Sequence, residues 1–176
     1  MSVQKVRHAV DKVLEWIVIL IMFVMVLNVL WQVFTRFVLR NPSSFTEELA
    51  RYLLIWLGLL GASYVAGRRL HLAIDLLPTR LSGRRKVWLD LFINAMIFLF
   101  AFFVMVIGGL RLVDISFALK QISAALEIRI GYVYLAVPLS GLFMMFYSAT
   151  FIWEGMLQLK KIPASSPEGK KQRNPD

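Results

Sequence analysis

Cysteine is absent from all 176 residues. That excludes a disulfide framework, a thiol nucleophile and a thiolate metal site, and it says nothing of the redox compartment. Histidine is nearly absent too. His8 and His71 are the only two, and neither lies inside a long apolar run, so the axial pair that a transmembrane b-type haem needs within a bundle is missing. Acidic side chains are scarce, 11 against 20 basic ones. The spacings of common enzyme motifs are lacking: there is no G-x-S-x-G, no P-loop, no G-x-G-x-x-G and no cysteine–histidine zinc pattern. Nor do the two halves repeat one another, as they do in many secondary transporters that build a site at the membrane midplane. No constellation supports an enzyme, and no metal or cofactor is expected.

What the chain has in abundance is hydrocarbon. Hydrophobic residues make up 59% of it and the mean hydropathy is +0.67, too apolar for an ordinary soluble domain. The apolar residues fall into four runs, 13–34, 49–65, 87–110 and 130–153. Each has the roughly 17–25 residues that carry a helix across about 30 Å of hydrocarbon. Backbone amides cannot stay unpaired in lipid, so each run is expected to be a helix. The expected fold is an all-α integral membrane protein, with a four-helix membrane domain over 1–160 and a disordered cytoplasmic tail over 161–176, rich in Pro, Ser and Lys. The first run is longer than a signal-peptide core and no A-x-A-like site follows it, so it reads as a retained anchor.

The net charge of +9 raises the question of nucleic acid. Its distribution answers it. Fourteen Lys and Arg lie before run 1, between runs 2 and 3, and after run 4; six lie near the other two loops. By the positive-inside rule both termini are cytoplasmic, and membrane lipid rather than nucleic acid accounts for the charge. Between runs 2 and 3, Leu70, Ile74, Leu77 and Leu81 share one helical face and His71 and Asp75 another. This predicts a short amphipathic helix at the cytoplasmic interface.

Polar residues inside the runs narrow the possibilities. Asn28, Gln32, Thr35 and Arg36 share one face of the first helix. Such a stripe is either interhelical glue or part of a solute path, and with no carboxylate in it we favour glue. Asp90 and Asn94 lie one turn apart in the third helix. Pro138 can kink the fourth, with Ser140 compensating. Ser44-Phe45-Thr46-Glu47 fits a capping box for the second helix, with Thr46 as an alternative N-cap. Glu47 and Glu48 suit the positive end of that helix, and Arg51 is one turn on. Trp56 is too deep for an interfacial belt and is expected to pack between helices. Gly58, Ala62 and Ala66 form a small-residue stripe that would admit a neighbouring helix. Glu47, Glu48, Arg51, Trp56, Gly58 and Ala62 are therefore the candidate partner contacts.

The run Ser43-Ser44-Phe45-Thr46-Glu47-Glu48-Leu49-Ala50-Arg51-Tyr52, continued through Trp56, Gly58, Gly61 and Ala62, resembles the signature of the small permease subunit of TRAP transporters (tripartite ATP-independent periplasmic transporters), the DctQ-like family. His71-Leu72-Ala73-Ile74-Asp75, Asn28 with Arg36, Ala125-Leu126-Glu127-Ile128 and Tyr134-Leu135-Ala136-Val137-Pro138 resemble further segments of it; Arg129 stands where that family often has proline. The resemblance implies a scaffold subunit in the bacterial inner membrane. It would pair with a large elevator-type permease and a periplasmic binding protein for sodium-coupled uptake of an organic acid, such as a C4-dicarboxylate, sialic acid or another sugar acid. The alternatives are a membrane anchor for a redox enzyme and a stand-alone small exporter.

Overall fold

The computed structural model describes residues 2–41, 43–68 and 84–161. The amphipathic segment with His71 and Asp75, and the tail beyond 161, lie outside the described residues. Helix α1 runs Ser2–Phe37 and α2 runs Ser44–Gly67. The third span is α3, Arg84–Phe100, continued by a π-helical segment, Ala101–Gly108, and by α4, Gly109–Ala118. The fourth is a single turn, α5, Gly131–Tyr134, followed by α6, Ala136–Lys161. Among the described residues, four helical stretches are long and apolar enough to cross a membrane, so the all-α membrane fold holds and the chain is a multi-pass membrane protein.

The polar lead before run 1 is helical as well. Helix α1 starts at Ser2, about three turns before the apolar run begins. Its far end turns at Arg40, whose φ of 50° is left-handed, while the Asn41 N–H reaches back to the Thr35 carbonyl at 3.2 Å. At the start of α2 the capping box does not form. Ser43 is the N-cap without a side-chain bond, and Thr46 instead donates its hydroxyl to the Ser43 carbonyl at 2.9 Å. Pro138 acts differently from a mid-helix kink. It sits in the first turn of α6, where its missing N–H costs little, and it prevents bonding to the Tyr134 carbonyl one turn back. The helix therefore breaks at Leu135, between α5 and α6. Ser140 donates to the Val137 carbonyl at 2.9 Å.

Helix α6 is the hub. It packs against α2, α3 and the π-helical segment, while α1 packs mainly along α2. The order across the molecule is thus α1, α2, α6, α3: a row of helices, with no extended contact between α1 and α3 among the described residues. Close approach at α6 depends on small residues. A Cβ on Gly141 would lie 2.7 Å from the Met105 Cβ and 3.3 Å from the Ala101 carbonyl oxygen of the π-helical segment. Against α2, the fully buried Ser63 hydroxyl is shared between its own Leu59 carbonyl and the Ser140 carbonyl, each at 3.0 Å. The apolar core, Leu14, Leu60, Tyr147 and Phe151, joins α1, α2 and α6 near the end of the molecule where the chain begins.

Candidate functional site

The two ends of the helix row carry different polar arrangements. At the end bearing the α1–α2 turn and residues 119–130, Glu48 is central. One carboxylate oxygen accepts the Ala125 N–H at 2.7 Å and the Leu126 N–H at 3.2 Å. The other accepts the Tyr52 hydroxyl at 2.7 Å. A carboxylate suits this role because it accepts several bonds at once, each charge-assisted. The segment it holds is a compact reversal. Ile122 pairs antiparallel with Arg129, Ser123 N–H bonds to the Ile128 carbonyl at 2.9 Å, and Ile130 N–H to the Gln121 carbonyl at 3.0 Å. Ser123 is buried beneath it. Gly131 then lies against the Phe117 ring, which meets Tyr132 edge-on at 5.2 Å.

Beside this clamp the buried Asn28 amide donates to the Thr46 carbonyl at 2.7 Å, tying α1 to the first turn of α2. The remainder of its stripe diverges. Gln32 is half-buried, with its backbone carbonyl taking the Thr35 hydroxyl at 3.0 Å, and Arg36 is exposed. Asn94 bonds within its own helix, to the Asp90 carbonyl at 2.7 Å.

The six candidate partner contacts separate into two groups. Glu48 and Trp56 are used inside the chain, the first by the clamp and the second by packing on the apolar core. Glu47 and Arg51 are exposed and pair with each other at 3.4 Å. Gly58 continues their face, and a Cβ there would meet nothing within 4 Å; Ala62, one turn further, is half-buried. Helix α2 therefore shows an open face of charged and small residues opposite the side that packs.

The other end is held by side-chain hydrogen bonds and ion pairs, among cations that the sequence marked only as topology signals and headgroup contacts. Arg7 donates to the Gly67 carbonyl at 2.7 Å, lies 3.7 Å from Glu154, and sits 4.6 Å above the Phe151 ring. Tyr147 donates its hydroxyl to Asp11. Arg68 pairs with Glu15 at 3.4 Å. A signal was available: Arg7, Asp11 and Glu15 recur at four-residue spacing, continuing a helical face into the polar lead.

The sequence that forms this row of helices matches a known family. The chain belongs to the family described as Tripartite ATP-independent periplasmic transporters, DctQ component, which it matches over residues 25–158. It is 25% identical over 166 residues to the sialic acid TRAP transporter small permease protein SiaQ of Vibrio cholerae, covering 94% of each chain. It is also 26% identical over 115 residues to the sialic acid TRAP transporter permease protein SiaT of Haemophilus influenzae, covering 65% of this chain and only 18% of SiaT. The chain is thus a transporter component, similar over nearly all of one relative and to a small part of the other.

Proposed function

We propose that this chain is the small scaffold subunit of a tripartite transporter in the bacterial inner membrane, with both termini cytoplasmic. It pairs with a large elevator-type permease, which with a periplasmic binding protein takes up an organic acid coupled to sodium. The observation that carries this reading is the asymmetry of the relatives. A segment similar to this chain is a minor part of SiaT, whereas SiaQ is similar to it end to end. What is a separate chain in one protein is joined to a larger remainder in the other, as expected of a subunit that works beside a bigger permease.

The helix row supports the same reading. A row with α6 as its hub offers broad apolar sides for another protein. The open face of α2, with Glu47, Arg51, Gly58 and Ala62, is the proposed contact with the permease, because small residues there admit a helix at close range. Glu47 and Arg51 lie at its periplasmic margin, within reach of a binding protein. The relatives named for sialic acid put sugar acids among the substrates to try first, beside C4-dicarboxylates.

The test is gentle solubilisation of native membranes carrying a tagged chain, followed by mass spectrometry of what co-purifies. A stoichiometric multi-spanning permease is the expected result. Recovery of the chain alone, monodisperse and stable, would overturn the subunit reading in favour of an exporter or an anchor. For the docking face, Glu47→Lys with Arg51→Glu is expected to lower uptake at unchanged expression. Glu48 is left intact in that experiment because its loss would disturb residues 119–130 rather than the face.

A further inference from the structure

Between α1 and α2 runs an apolar groove of about 450 Å³, lined by Val18, Ile19, Met22, Phe23, Val26 and Leu57. It opens outward, since Ile19, Met22, Phe23 and Val26 are all exposed. The end of the groove nearer the chain's beginning carries a net positive charge, Lys12 and Arg68 against the one carboxylate of Glu15. Lys12 is exposed and lies on the face of α1 that continues through Glu15, Ile19, Met22 and Val26 at helical spacing. Arg68, just past α2, is held there by Glu15 at 3.4 Å and lies 5.0 Å from the centre of the Tyr64 ring, with its side chain still 46% exposed. From Val18 to Val26, the lining of the groove on α1, the helix rises about 12 Å, most of the ~15 Å depth of one hydrocarbon leaflet, half of a ~30 Å core.

From these features we infer that the α1–α2 groove holds an acyl chain of an anionic membrane phospholipid, with its phosphate at Lys12 and Arg68. An apolar channel most of a leaflet deep, with two cations against one carboxylate at its interfacial end, is complementary to that molecule, anion and tail together. A second helix is a poorer match. Helices pack closely through small residues, and this groove is lined by Met22, Phe23 and Leu57. A helix would also have no use for cations gathered at one end. The inference stands independently of the partner assigned above.

Native mass spectrometry of the full chain tests it, with the purified protein offered phosphatidylglycerol and phosphatidylcholine in equal amounts. One phosphatidylglycerol is expected to stay bound in preference to phosphatidylcholine. Leu57→Trp with Gly61→Leu is expected to lose it. The added leucine enters open space one turn beyond Leu57, so helical content should be unchanged by circular dichroism. Lys12→Gln with Arg68→Gln, which leaves the groove itself alone, is expected to keep a lipid but abolish the preference. Undiminished binding in the filled variant, or equal retention of both lipids by the unaltered chain, would overturn the inference. So would efficient cross-linking of Met22→Cys, the sole thiol in such a variant, to a co-purifying protein in place of lipid.

Discussion

Helices α1 and α6 are both long and mostly apolar, yet the molecule treats them oppositely. In the most apolar stretch of the fourth span 39% of residues are buried; in that of the first span the figure is 11%. The buried residues of α6 include Ser140, Gly141, Ser148, Thr150 and Gly155 among its larger ones. Those of α1, among the residues whose burial is described, are Leu14, Asn28 and Thr35, while Phe23, Leu27, Leu30 and Trp31 are exposed. In lipid, where leucine gains little by leaving hydrocarbon, small and hydroxyl side chains mark the inside because they let backbones approach. Two of the small hydroxyls on α6 are satisfied within the helix, Thr150 by the Tyr147 carbonyl at 2.7 Å and Ser140 by that of Val137 at 2.9 Å. They therefore pack as small residues without leaving orphaned donors.

The largest effect expected from this contrast comes from adding the same side chain to two glycines. Gly141→Leu must displace Met105 or the π-helical backbone, and overpacking of this kind costs about 1–3 kcal/mol or more. Gly58→Leu meets nothing, and replacing a helical glycine should leave the isolated chain as stable or up to about 1 kcal/mol more so. Reversible unfolding in mixed micelles measures both. Equal losses would end the distinction between an inner α6 and an open α2 face.

A second contrast sets two adjacent carboxylates against each other. Glu48→Gln removes the charge that receives the Ala125 and Leu126 amides. Hydrogen exchange at those two amides should accelerate, and residues 119–130 should become open to protease. Glu47→Gln, which breaks only an exposed pair with Arg51, should change neither. If both behave alike, the clamp is not what holds the segment.

Asn28→Leu is a smaller perturbation. It deletes the bond to the Thr46 carbonyl, and interhelical bonds in membranes average about 0.6 kcal/mol with a maximum near 1.7. A loss within that range would mark Asn28 as glue between α1 and α2. No loss of stability together with reduced transport would point to a solute path instead.

Much of this was legible in the chain and some was not, for identifiable reasons. The four spans follow from run length, and the family signature lies in the contiguous stretch around Glu47–Arg51–Trp56–Ala62. The partner of Glu48 is hidden because Ala125 and Leu126 contribute backbone N–H groups, which every residue but proline has. The helical state of the polar lead was hidden because the continuous apolar run begins only at residue 13, and before it Val6 and Val10 are the sparse remainder of the apolar face. Helix propagation needs no apolar face where Arg7, Asp11 and Glu15 find partners on α2 and α6. The expected cap failed since Ser44 lies inside α2 and the chain enters through Ser43. Similarly, proline at 138 signals a break, but only the position of α6 shows that the break falls before it.

The smallest effect in the isolated chain is also the one that separates lipid from protein around α1. Leu30 is 61% exposed, so Leu30→Ala removes little packing within the chain and should change its stability by no more than about 0.5 kcal/mol. If that face meets only hydrocarbon, the variant should behave the same in the assembled transporter, because a leucine against lipid tails has no fixed partner to lose. If the permease packs there, truncation leaves a gap in a protein interface, and the assembled complex should dissociate at lower detergent concentration while the free chain is unaffected. Comparing Leu30→Ala with Leu54→Ala, also exposed at 56% but on the α2 face that carries Arg51 and Gly58, decides which helix lies against the permease. The α2 variant is expected to weaken the complex and the α1 variant to leave it intact. The reverse outcome would move the docking surface from α2 to α1.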